Sequence, residues 1–321
     1  MANIALLNRC NLRCPYCFAD NYTADEKQDI TESTFLSLLD FCAPEREVGL
    51  IGGEPLLHPQ FDNFLDILSE DMRFMRVMIF TNGIFLDRHI QKLLNPKVYL
   101  LVNVNSSADI GKAAFDKVEK NLQSLVDYGM REHITLGINV YKQEQDFDNF
   151  LYLIKKFGFK KIRLSVVIPK ERSLSGIEYF KSMKKTLFGL YKELKALGCA
   201  PCYDCNAIPS CVYTKKELEF LSSLPFANDY ERAIFMGEKS VCSPVIDLYP
   251  DGTATRCFGC YDMARVPISD FESIADLRNY FFMHIDSRLV HNLSRPECEK
   301  CYKYNTFACF GGCLCYKTDK N

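Results

Sequence analysis

The chain has 321 residues, with 39 basic against 41 acidic side chains, a net charge of −2 and a mean hydropathy of −0.11. Without a block of like charge this balance argues against nucleic-acid and membrane partners, and no apolar run approaches the roughly eighteen residues that span a bilayer. Residues 1–7 carry no basic n-region, so a cytoplasmic protein is expected, long enough for one large core or two smaller ones.

Sixteen cysteines are many for a reducing compartment, where structural disulfides are rare, so metal or redox work is expected of them. A short apolar run at 4–7 is followed by CNLRCPYC, in which Cys10, Cys14 and Cys17 are separated by three and then two residues. A cubane iron–sulfur cluster normally takes four cysteine thiolates. The next cysteine, Cys42, sits in a predicted helix among Phe35, Leu38 and Leu39, where core packing is its expected role. The trio therefore leaves one iron open to another ligand.

From there the pattern alternates. Further candidate strands at 48–51, 77–80, 98–104, 135–140 and 162–168 are short β-branched or apolar runs, and amphipathic helices at 61–68, 115–128 and 177–197 lie between them. Ser175 and Glu178 have capping-box spacing, and Gly198 supplies a stop. Repeated βα units imply parallel strands covered by helices, with the active site on loops at the strands' carboxyl ends. The second such end reads GGEPLLHP: Gly52 and Gly53 let a ligand approach the backbone, or simply serve a turn, and Glu54 offers an acceptor to a cation. His58 reads equally as a satisfied loop residue.

CNLRCPYC followed by GGEP resembles the radical S-adenosylmethionine superfamily. The resemblance implies a partial (β/α)6 TIM-like barrel, a 4Fe–4S cluster on Cys10, Cys14 and Cys17, and S-adenosylmethionine on its open iron. It further implies Tyr16 beside the adenine and Gly52, Gly53 and Glu54 at the methionyl amino group. Asn103, Asn105 and Ser106 at the end of the fourth strand would serve the ribose, and Asn139 and Arg163 would reach the cofactor from later strands. A sulfonium on a reducing cluster accepts one electron and breaks a carbon–sulfur bond, giving a deoxyadenosyl radical that abstracts hydrogen; the protein orients and excludes water.

The carboxyl-terminal cysteines run Cys242-x9-Gly252-x4-Cys257, with Cys260 close behind, then Cys298-x2-Cys301-x7-Cys309-x3-Cys313, with Cys315 after it. Two C-x-x-C pairs are a familiar zinc-ribbon arrangement, but zinc would leave Cys242, Cys309, Cys313 and Cys315 without a use. The order resembles the SPASM/Twitch extension, which implies one or two auxiliary 4Fe–4S clusters, grouped as Cys242, Cys257 and Cys313 and as Cys298, Cys301 and Cys309. The last cysteine of that pattern has no counterpart here; Cys260 or Cys315 would substitute. Tyr249-Pro250-Asp251-Gly252 predicts a hairpin turn, and a two-residue Asp-Gly loop would set Ile246 opposite Cys257. The expected division is a core barrel over 1–212, a helical linker over 213–240 and a small cysteine-rich auxiliary-cluster domain with this β-hairpin over 241–321.

CAPCYDCNAIPSC, 199–211, follows a long helix as a further strand would, with Tyr203 and Cys205 alternating against Cys202 and Asp204. Cys205 or Cys211 is expected to act as a hydrogen-atom donor or to join an auxiliary cluster; inert packing is the bland alternative. Enzymes similar to this pattern act largely on peptides, which implies a peptide substrate and maturation of a ribosomal natural product by thioether or carbon–carbon crosslinking, epimerisation or side-chain oxidation. Met1 lies nine residues before Cys10, leaving no room for a fused leader-binding domain, so a separate leader-peptide-binding protein is an expected partner, with a low-potential electron donor such as flavodoxin or ferredoxin. A radical dehydrogenase or epimerase of a small alcohol or sugar is the alternative enzyme. A zinc-ribbon binding protein or an iron–sulfur electron carrier is the non-enzyme alternative.

Overall fold

The βα alternation is present in the computed structural model, which describes all residues except 18, 25, 170–173, 204, 207, 240–241, 293–295 and 318–321. Contacts divide the chain into two units, Met1–Thr135 with Pro244–Phe282, and Leu136–Ser243 with Met283–Asn321. Among the described residues no helix is long and apolar enough to cross a membrane.

In the first unit β1 (Ala2–Ala5), β2 (Glu47–Ile51), β3 (Arg76–Thr81) and β4 (Val98–Asn103) are parallel neighbours in chain order. All of β1 is buried, as both faces of a helix-covered parallel sheet must be. The strand expected at 4–7 ends at Ala5, with Leu6 N still donating to Ile51 O at 2.9 Å. Leu6 O accepts from Ile30 N at 2.8 Å and Leu7 bridges Asp29, so the chain swings onto the 28–30 segment before its cysteines. Helix Phe61–Glu70 buries Phe61, Phe64, Leu65 and Leu68 at helical spacing. Cys42 caps helix Glu32–Phe41 at 0 % exposure, the packing role foreseen for it.

The hairpin belongs to this same sheet. β8 (Asp247–Leu248) pairs parallel with β1, β9 (Thr253–Thr255) pairs antiparallel with β8, and β10 (Arg265–Pro267) closes that edge. Its register is one residue away from a two-residue Asp-Gly loop: Tyr249 N donates to Thr253 O at 2.9 Å, so the loop holds Pro250, Asp251 and Gly252, with Gly252 left-handed at φ 77°. A three-residue loop with glycine at the left-handed position matches the twist of the flanking strands. Further out, Val245 N and Ile246 N both donate to Arg256 O, at 3.1 and 2.9 Å, which is a β-bulge with Ile246 at φ 60°. Ile246 therefore faces Arg256, and Cys257 stands beyond the ladder. Tyr22, Tyr249, Phe258 and Tyr261 form an aromatic cluster with Ala5 and Ile51, and Cys17 packs against it. The Tyr22 ring lies 5.0 Å from that of Tyr249.

In the second unit β5 (Ile134–Val140, from Leu136 onward), β6 (Ile162–Val166) and β7 (Pro201–Cys202) are parallel neighbours. Helix Gly176–Ala196 starts where expected, the Ser175 side chain accepting from Glu178 N. β7 stops after Cys202, so the alternation expected through Cys205 does not hold. The stop follows from Tyr203: its hydroxyl meets that of Tyr191 at 2.6 Å inside the unit, and the burial this needs pulls the chain off the sheet edge.

Candidate functional site

The cysteine loop is anchored before it begins. Asn8 Nδ2 donates to Glu26 O at 2.7 Å, Gln28 N donates back to Asn8 Oδ1 at 3.0 Å, and Arg9 pairs with Asp29. The loop then lies across the end of β2: Gly53 N donates to Leu7 O at 2.9 Å and Glu54 N to Arg9 O at 2.8 Å. A Cβ on Gly52 would come within 2.4 Å of Leu7 O, and one on Gly53 within 2.1 Å of Arg9 O. The bareness read as room for a ligand is thus filled by the protein's own backbone, and the trio and the GGE segment form one piece.

Glu54 is fully buried. Its Oε1 accepts from Thr81 Oγ1 at 2.7 Å and Leu56 N at 3.3 Å, and its Oε2 from Asn82 N at 2.8 Å. Burial pushes the carboxyl up to about 7 while these donors pull it down. Asn82 Nδ2 in turn donates to Asn11 Oδ1 at 2.9 Å, inside the cysteine loop. Sequence reading missed Thr81, Asn82 and Asn11; the TNG after the third strand was the available signal. His58 is satisfied: Nδ1 accepts from Gln60 N at 3.1 Å and Nε2 donates to Ile30 O at 3.1 Å, and burial lowers its pKa, keeping the ring neutral.

Cys10, Cys14 and Cys17 are half-buried, with Cys17 N donating to Cys14 O at 3.1 Å and Leu12 N to Cys10 Sγ at 3.4 Å. Burial, reinforced by the neighbouring thiols, raises Cys10 to about 11 and Cys14 to about 12, so each is protonated at neutral pH and gives up a proton on binding metal. Asn105, from the end of β4, accepts on Oδ1 from both the Tyr16 hydroxyl and, at 3.4 Å, Cys14 Sγ. Asn103 Oδ1 is buried without a partner. Ser106 uses its hydroxyl to cap a short helix, accepting from Asp109 N at 3.2 Å and donating to Asp109 Oδ2 at 2.8 Å.

Other expected site residues belong to the second unit. Arg163 Nη1 donates to Asn139 Oδ1 at 2.8 Å between neighbouring strands. Cys205 and Cys211 are exposed. Cys298, Cys301 and Cys309 are near enough for their charges to act on one another, Gly311 N donates to Cys309 Sγ at 3.2 Å, and Cys313 and Cys315 are buried. Lys317 is buried beside Cys242, Cys298 and Cys309; loss of hydration lowers its pKa to about 8 against the pull of those thiols. In the first unit Cys257 and Cys260 have their sulfurs 3.8 Å apart, and Arg256, at 2 % exposure, sets Nη1 3.8 Å from Cys257 Sγ. Neither Arg256 nor Lys317 was foreseen, because a basic residue acquires this role only through burial. All sixteen cysteines are described and none is in a disulfide.

Residues 4–154 match the family model of the Radical SAM superfamily. These residues form a radical SAM domain. The cofactors that go with that superfamily are S-adenosylmethionine and a 4Fe–4S cluster. The radical SAM domain fits them: three half-buried thiols suit iron–sulfur ligation, and the orphaned Asn103 oxygen is an acceptor awaiting a donor. The cysteines towards the carboxyl end fit an auxiliary cluster.

Among curated relatives, the GTP 3′,8-cyclase of Chlorobaculum tepidum is 36 % identical over 107 residues, 33 % of this chain and 32 % of that protein. The GTP 3′,8-cyclase of Staphylococcus haemolyticus is 26 % identical over 253 residues, 62 % of this chain and 73 % of that protein. The chain thus spans only about a third of the first of these relatives. Among solved structures, native anSMEcpe with bound AdoMet superposes with a TM-score of 0.67 at 18 % identity, covering 100 % of this chain and 91 % of that one. SuiB of Streptococcus suis bound to the precursor peptide SuiA gives 0.64 at 14 % identity, covering 97 % and 71 %. These likenesses establish the fold.

Proposed function

We propose that this chain cleaves S-adenosylmethionine reductively at a cluster held by Cys10, Cys14 and Cys17, and abstracts hydrogen from a peptide, as in maturation of a ribosomal natural product. The observation that carries the first part is the single hydrogen-bonded piece made by the cysteine loop and the GGE segment. When bound, the cluster and S-adenosylmethionine supply the electron and the hydrogen-abstracting radical. The protein's own residues bind and orient. Asn105 holds Tyr16 and Cys14 in fixed relation, Asn103 offers an acceptor to a ribose hydroxyl, and backbone at Gly52–Glu54 meets the methionyl end. Glu54 acts as a buried brace, since its carboxylate is engaged by three donors from its own unit.

The peptide substrate is supported by fold: SuiB bound to SuiA and anSMEcpe with the Cp18Cys peptide share it, with TM-scores of 0.64 and 0.66. A second reading, nucleotide chemistry on GTP, is favoured by the curated relatives. Incubation without oxygen, with S-adenosylmethionine and dithionite, decides between them. Deoxyadenosine is expected, together with a changed mass or chirality in a synthetic peptide encoded beside the gene and GTP left intact. An unchanged peptide with GTP consumed would transfer the assignment. A small alcohol or sugar added in a third arm and recovered unoxidised, with the peptide modified, disposes of the dehydrogenase alternative.

A further inference from the structure

The second unit brings Cys205, expected as a hydrogen-atom donor or a cluster ligand, against thiols of the carboxyl-terminal segment. Cys205 lies between two locked neighbours. Tyr203 is 3 % exposed with its hydroxyl 2.6 Å from that of Tyr191, and Asn206 is 4 % exposed with Nδ2 donating to Val166 O at the end of β6. Asn206 is also left-handed, at φ 55°, a conformation that asparagine tolerates better than most residues and that turns the chain sharply. The turn delivers Cys205: its thiol hydrogen-bonds to that of Cys313, which also bonds Cys315 and lies within the electrostatic reach of Cys242. A cavity in the same unit is lined by Asn206, Cys242, Cys309 and Cys313, and Asn206 Oδ1 is buried there without a partner.

We propose that Cys205 is a ligand of the auxiliary iron–sulfur cluster held by Cys242 and Cys313. This rests on the auxiliary-cluster reading and adds to it a thiolate from outside the carboxyl-terminal segment. On ligation the Cys205 S–H bond gives way to an S–Fe bond and the proton leaves to solvent, as for the other thiols. An exposed residue is suited to this position. Cys313 is 7 % exposed, so Cys205 would supply its thiolate to the cluster from the solvent side. The assignment excludes Cys205 as a hydrogen-atom donor, because its sulfur is engaged.

The test uses the full chain with the amino-terminal trio replaced (Cys10→Ala, Cys14→Ala, Cys17→Ala), purified without oxygen, so that only auxiliary iron is counted. Adding Cys205→Ala is expected to remove about four irons per chain, one cubane's worth, or to leave a three-iron EPR signal. Cys205→Ser is expected to keep the iron and shift the EPR spectrum of the reduced cluster, and Cys211→Ala to change neither. Full iron with an unchanged spectrum in Cys205→Ala overturns the proposal. Should the alanine variant fail to fold, an unchanged spectrum in the serine variant does so. An iron-free parent would instead sink the auxiliary-cluster reading itself, and the proposal with it.

Discussion

At residue scale the site is governed by close approach and burial. A methyl on Gly53 must displace the Arg9 carbonyl, which it would meet at 2.1 Å; overpacking of this kind costs about 1–3 kcal/mol. Gly53→Ala is therefore expected to lower the melting temperature and to strip the iron of the amino-terminal cluster, read as iron per chain. Glu54 and Asp247 are both buried, and burial raises each to about 7, from 4.5 and 3.8. Between the unfolded and folded values the native state keeps a proton that the unfolded chain has lost. Their contribution to stability is thus full below the unfolded values and disappears as pH rises through 7. Asp247→Asn is expected to flatten the fall in stability across that window, measured by urea denaturation of the cluster-free chain below and above it; an unchanged slope would show that Asp247 stays ionised throughout. CNLRCPYC was legible because ligand spacing is local. Thr81, Asn82 and Asn11 were not, because a neutral polar residue reveals its partner only once the strand ends are side by side.

At the scale of elements, sequence periodicity found the strands and long helices to within a few residues, and missed what depended on a partner. β1 was set two residues late because Leu6 and Leu7 are apolar, yet they pair on one side with the 28–30 segment while Leu6 N still donates to Ile51 O. The hairpin turn was recognised from Pro250-Asp251-Gly252, but its loop is one residue longer than the Asp-Gly dipeptide suggested. The left-handed Gly252, at φ 77°, gives this a test: Gly252→Ala is expected to cost about 1–2 kcal/mol, visible in the denaturation midpoint. Since β9 leads directly into Cys257, the same variant should weaken iron retention by the auxiliary ligands while sparing the amino-terminal cluster. That β8 docks on β1 could not be read locally: the Asn3–Asp247 hydrogen bond, at 2.7 Å, joins residues 244 apart.

For the whole molecule, the radical site and the auxiliary thiols make separable demands. Each of the Cys10, Cys14 and Cys17 alanine variants is expected to abolish deoxyadenosine formation. Cys298→Ala with Cys301→Ala should leave S-adenosylmethionine cleavage measurable and eliminate the modified co-substrate, with deoxyadenosine and product quantified by chromatography. Equal loss of both in the second variant would mean that the auxiliary ligands support the radical site directly.

The amino-acid sequence by itself marked the radical SAM domain and determined the βα plan, because thiol spacing and hydrophobic periodicity are short-range properties that survive without knowledge of partners. Tertiary structure alone decided that Gly52 and Gly53 make room for the chain's own backbone, that Glu54 is a buried brace, and that Lys317 and Cys205 lie against thiols distant in sequence. Those roles arise from desolvation and contact between segments far apart along the chain, and neither quantity exists until the chain has folded.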